Sequence, residues 1–219
     1  MRRINTFAAL ALAAAAPLAF ADNVPAPVAG PIPAGAYTVD KPHTSLLFRV
    51  SHMGFSQFTG RFTSVKADLN FDPENVAGSS VRVTIDPKSI ATDNAPGGFL
   101  DELAGSQFLD AAKYPQMTFV SKSVETTGKD TFRINGELTL HGVTKPVTLE
   151  ARYNGGYAGH PYDPHARVGF SATGSLKRSD FGVSFGIPGP GMPVGVGDEV
   201  QVTLESEFSG PALAKVAQR

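Results

Sequence analysis

The side chains best suited to proton transfer or metal ligation near neutral pH in this chain are five histidines, His43, His52, His141, His160 and His165. No two of them stand in an H-x-x-x-H or H-E-x-x-H spacing, so no helix face carries a ready zinc pair. His160 and His165 flank Pro161-Tyr162-Asp163-Pro164, a turn where two imidazoles can meet a metal or simply face solvent, and no metal site is assigned to them. His52 differs, because alternation puts it on one strand face with Leu46, Phe48 and Val50. It is either a hydrogen-bonded core residue or a group at a cavity mouth that meets a ligand head. Cysteine is absent, which excludes thiol catalysis, Fe–S clusters and Cys-ligated zinc. There is no G-x-S-x-G elbow, dinucleotide fingerprint or Walker loop, and Gly186 to Gly191 is followed by no Lys-Ser/Thr. Asp180 beside Arg178 reads as a rim ion pair. No catalytic residue and no cofactor are assigned; an enzyme using His52 on an apolar substrate stands as an alternative that lacks a partnered nucleophile.

The elements that must position these groups are strands. Leu46, Phe48 and Val50 alternate with Arg49 and Ser51, and Val65, Ala67, Leu69 and Phe71 alternate with Lys66, Asp68 and Asn70. The same period runs through Val81–Ile85, Met117–Phe119, Phe132–Leu140, Val147–Tyr153, Val168–Leu176 and Val200–Phe208. Asp72-Pro73, Asp86-Pro87, Thr127-Gly128 and Gly142 punctuate it as turns. Eight or more strands with one apolar face each predict an antiparallel all-β domain, folded as a sandwich or closed into a barrel. Runs of about eleven residues at Arg61–Phe71 and Thr131–His141 exceed the usual five or six and favour the barrel, which also removes edges. Phe99, Leu100, Leu103, Phe108 and Leu109 break the period and predict a short helix or two, as a lid over one mouth or a plug in the core.

Residues 1–21 read as a cleavable secretory signal: Arg2 and Arg3, an apolar run from Phe7 to Ala16, and Ala19-Phe20-Ala21 before the cut. Residues 22–35 form a Pro/Ala/Gly-rich leader, one domain spans 36–209, and a tail follows at 210–219. Without the signal the balance is 17 basic against 20 acidic residues with no basic run, which gives nucleic-acid binding no electrostatic support. No later run is apolar enough to span a bilayer as a helix. Periplasmic export is the expected destination, and a homodimer is left open.

The inward positions mix large residues with small ones, among them Ala67, Gly136, Ala151, Ala172, Gly174 and Ser206. Either these leave an apolar space for a ligand, with Gly136→Phe or Ala172→Phe filling it, or they face bulky neighbours and no cavity exists. An empty apolar space costs stability, about 24 cal/mol per Å³ in one core series, and a matching ligand offsets that cost.

Six ordered blocks then resemble the YceI-like family: Tyr37 to Gly54 with Asp40-Lys-Pro-His43-Thr-Ser inside it; Gly60-Arg-Phe62; Phe108-Leu-Asp110 with Tyr114-Pro115 and Phe119; Gly136 to Val147 around His141-Gly142; Arg178-Ser-Asp180-Phe181-Gly182; and Gly197-Asp198-Glu-Val200. Thr44 stands where that family commonly has Ser. The resemblance implies an extended antiparallel eight-stranded lipocalin-like barrel with a short helical cap, exported, whose tunnel takes a polyisoprenoid, isoprenoid quinone, fatty amide or other long-chain isoprenoid or acyl lipid. On that reading Leu46, Phe48, Val50, Leu69, Phe71, Phe119, Phe132, Leu138, Phe170 and Leu204 line the tunnel. Phe99, Leu103 and Phe108 close it, and His52 or Arg178 meets a polar head. A non-catalytic carrier is the leading expectation; a filled barrel serving a membrane redox or stress system is the other.

Overall fold

A computed structural model describes residues 31–159 and 163–212. The expected signal, most of the leader, His160 and the tail from residue 213 lie outside them. The alternating segments form ten strands: β1 (Gly35–His52), β2 (Ser56–Phe62), β3 (Val65–Phe71), β4 (Ser80–Ile85), β5 (Ile90–Ala91), β6 (Met117–Thr126), β7 (Thr131–Leu140), β8 (Val143–Tyr157), β9 (His165–Lys177) and β10 (Val196–Ala212). Among the described residues one short α-helix, α1 (Phe99–Ala104), stands between β5 and β6.

All pairings are antiparallel, and eight strands close a ring in the order β1-β3-β4-β6-β7-β8-β9-β10, with β10 returning to β1. The fold is therefore the expected barrel, not a sandwich. β1 divides its free edge. Its first residues, Gly35–Thr38, pair with the end of β3, and its last, Leu46–His52, pair with β2, which carries β5 on its outer side. The wall is thus β3 at one end of the barrel and β2, β5 and α1 at the other. Between these halves β1 is bulged at Lys41–Thr44, where register against β10 is lost. The Thr44 hydroxyl donates to the Asp40 carbonyl at 2.8 Å and holds the bulge.

Two sequence expectations change. Arg61–Phe71 is not one long strand: the chain turns at Thr63-Ser64, where the Thr63 N–H donates to the Ser89 carbonyl at 3.0 Å, so its two halves join different neighbours. The domain also runs slightly past its expected limits of 36 and 209, because Gly35 pairs with Phe71 and Ala212 with His165. His141 and Gly142 do form the β7–β8 turn, both at positive φ (51° and 77°).

Candidate ligand-binding site

The half of the barrel walled by β2, β5 and α1 is hollow, with a cavity of about 310 Å³. Its staves contribute Leu46, Phe48 and Val50 from β1, Phe119 from β6, Leu138 from β7 and Leu204 from β10. Phe99, Leu103 and Phe108 line its mouth, with Phe58 set edge-on to Phe99 at 5.9 Å between centroids. All lining side chains but His52 and Arg178 are apolar. A wall of that kind stabilises an apolar guest by about 25 cal/mol per Å² covered and offers almost nothing to a polar one.

Four residues expected in the lining are elsewhere. Leu69, Phe71, Phe132 and Phe170 do not border the hollow; they belong to the packed opposite half of the barrel. There Phe71 meets Phe170 edge-on at 5.5 Å and Tyr37 at 6.2 Å, Tyr153 lies 5.5 Å from Phe170, and Phe170 lies 6.2 Å from Phe208. These five rings form a plug, so the expected tunnel ends inside the protein. The plug carries two phenols. Burial, then the neighbouring Tyr153, pushes the Tyr37 phenol up to about 12, and burial also raises Tyr153. Tyr37 donates its hydroxyl to the Pro33 carbonyl at 2.6 Å, which satisfies it without water.

The small inward residues reconcile both readings of the sequence. Gly136 lies under Phe119 and Gly60 under Phe48, and a Cβ at either position would stand 2.4 Å from the ring. A Cβ at Gly174 would stand 2.7 Å from the Leu149 side chain. Ala172 packs against the plug cluster of Val124, Phe132 and Ala151. The glycines therefore let rings lie flat on the wall, and the space arises where those rings are drawn back, not at the glycines themselves. Ala172→Phe, which the sequence suggests as a way to fill the hollow, would act in the wrong place, and Gly136→Phe would reach the hollow only by displacing the Phe119 ring.

Arg178 is not in an ion pair with Asp180, which is exposed. It is 6% exposed and spends its guanidinium on four carbonyls. Nε donates to Gly197 at 2.8 Å, Nη1 to Val183 at 3.0 Å and Phe185 at 2.8 Å, and Nη2 to Val196 at 2.8 Å. Burial lowers its pKa, opposed by the charge of Asp198. Asp198 accepts from the Ser179 N–H at 2.9 Å and hydroxyl at 2.8 Å. Arg178 thus staples the outgoing and returning legs of the 183–197 loop beside the hollow. His52 ends β1 at the mouth and is exposed. His141 lies outside the hollow, Nδ1 3.2 Å from the Phe181 carbonyl and its ring edge-on to Tyr114.

A polar cluster occupies the plugged end. Arg167 donates to Asp40 and, at 2.5 Å, to Asp163, and lies 3.7 Å from Glu207. His43 sits 3.1 Å from Asp40. Asp40, His43 and Glu207 bring ligand atoms within 4.8 Å of one another, but Arg167 already supplies these carboxylates with the positive charge a cation would bring.

A model of the YceI-like domain matches residues 37–208. Protein YceI of Escherichia coli is 42% identical over 159 residues, covering 71% of this chain and 80% of that protein. The crystal structure of Burkholderia cenocepacia BcnA superposes with a TM-score of 0.66 at 28% identity, covering 77% and 98% of the two chains. A domain from Saccharophagus degradans described as polyisoprenoid-binding has the same fold, with a TM-score of 0.60 at 16% identity over 80% of this chain and 98% of its own.

Proposed function

The chain belongs to the YceI-like family, and from that premise we propose that it is an exported carrier that holds the tail of a long isoprenoid or acyl lipid in its hollow and performs no chemistry of its own. One observation carries the reading: a hollow of about 310 Å³, open at one end and stopped by aromatic rings at the other, whose wall is apolar apart from His52 and Arg178. That volume falls at the lower end of small-molecule sites, about 300–1,000 Å³. With Arg178 committed to carbonyls, His52 at the mouth is the polar side chain placed to meet a head group. The name of the Saccharophagus degradans domain supplies the ligand class by analogy of fold.

The test is direct. Protein stripped of ligand and titrated with a polyprenol or an isoprenoid quinone should gain thermal stability by mass action, about 2.7 kcal/mol at a hundredfold excess over Kd. Organic extracts of native-source protein should yield the same lipid class by mass spectrometry. No stabilisation by any prenyl or acyl chain, with empty extracts, overturns the carrier. Export is checked by N-terminal sequencing of the protein from a periplasmic fraction, which should begin at Asp22.

A further inference from the structure

The large apolar side chains left exposed among the described residues are Met53, Phe55, Phe185, Met192 and Val194, and all five lie on two segments that also supply lining residues of the hollow, His52 to the first and Val183 and Val196 to the second. Met53 and Phe55 form the tip between β1 and β2; the other three lie on the 183–197 loop. Their backbones are joined, because the Met53 N–H donates to the Gly195 carbonyl at 2.8 Å and His52 pairs with Val196. The patch is continuous with the wall inside it: the Phe185 ring stands edge-on to Phe108, a lining residue, at 5.3 Å. Phe55 is 84% exposed, more than a scattered surface phenylalanine needs to be.

The charge pattern matches. No Asp, Glu, Lys or Arg occurs at residues 50–60 or 181–197. Charge returns at the flanks, at Arg49 and Arg61 for the first segment and at Asp180 and Asp198 for the second. The loop is held in place rather than left loose, since Arg178 bonds carbonyls on both of its legs.

We infer that this neutral apolar rim is a docking surface for a lipid bilayer, immersed so that the hollow opens directly into the hydrocarbon. The occupant is argued from two facts: the two apolar segments carry no Lys or Arg to engage anionic head groups, and the only charges on the facing helix, Asp101 and Glu102, are acidic, while Phe185 meets the lining residue Phe108 and so links the exposed patch to a cavity walled for apolar chains. The purpose of such docking rests on the proposed carrier role, but its measurement does not.

The chain contains no Trp, so Phe55→Trp provides a single reporter at the rim. With vesicles of zwitterionic phosphatidylcholine its emission should shift to the blue and be quenched by lipids brominated on the acyl chain. In the same chain, Phe185→Ser with Met192→Ser should weaken that response about tenfold or more. Segments outside the rim are common to both proteins and cancel in the comparison. Uptake of a polyprenol delivered from ethanol, with no bilayer present, should be unchanged by these rim substitutions. An indole reporter that is neither quenched nor shifted overturns the inference, as does immersion that requires anionic lipid. So does a rim found covered by a second copy, read as a dimer that Phe185→Ser dissociates. Failure of polyprenol uptake with intact quenching would instead sink the carrier reading alone.

Discussion

The Phe119 ring lies across Gly136, so close that a Cβ at 136 would stand 2.4 Å from its Cζ, with the Val120 carbonyl only 2.7 Å away on the backbone side. Relieving both contacts takes a shift of the strand as well as of the ring, whose free side faces the hollow. Gly136→Ala should therefore cost about 1–3 kcal/mol in thermal denaturation, as overpacking does, and reduce polyprenol uptake. An alanine variant as stable as the parent would show the ring is not seated there.

Substitutions that fill the hollow itself should separate binding from folding. Leu204→Trp adds bulk to the lining on the β10 stave, opposite Leu46 of β1. Uptake should fall sharply while circular dichroism and cooperative unfolding persist, because the added rings enter existing space.

Phe170 touches Phe71, Tyr153 and Phe208 and stops the hollow from continuing. Phe170→Ala should cost about 3–5 kcal/mol. If the barrel survives, the hollow deepens, and the preferred chain length, measured by competition among prenols, should increase. Longer chains gaining nothing would show the plug does not set depth.

Arg178→Met removes four donors from carbonyls of Val183, Phe185, Val196 and Gly197. Part of that loss is recovered by water as the loop opens, so the expected cost is about 1–3 kcal/mol. Amide exchange and proteolysis should rise across 183–197 first. Lysine should not rescue, because an ammonium has three donors and no planar fork.

Hydrogen bonds from Arg167, and then from Tyr157, hold the Asp163 carboxyl well below the ordinary carboxylate range; those from His43 and Arg167 lower Asp40. A depressed carboxyl contributes stability that is full above its unfolded value, about 3.9, and is lost as pH falls through the folded value. Asp163→Asn should therefore lower the melting temperature at neutral pH, with the gap from the parent narrowing below about pH 4. A gap of constant size down to pH 2 would contradict this account.

Much of the molecule is legible in its sequence. Alternation in segments such as Val168–Leu176 dictates one-faced strands, because side chains on a strand point alternately to opposite faces. The aperiodic Phe99–Leu109 stretch announces the cap, and Leu46, Phe48, Val50 and His52 are placed together by that same period of two. What alternation does not encode is height along the barrel axis. Phe71 and Phe48 both face inward, yet one closes the plug and the other lines the hollow. Which rings meet depends on how strands remote in the chain are brought together, such as β3 and β9, whose Phe71 and Phe170 stand edge-on. The roles of Gly136 and Arg178 are hidden for the same reason: a ring seat and a loop staple are defined by partners that only the closed barrel brings within reach.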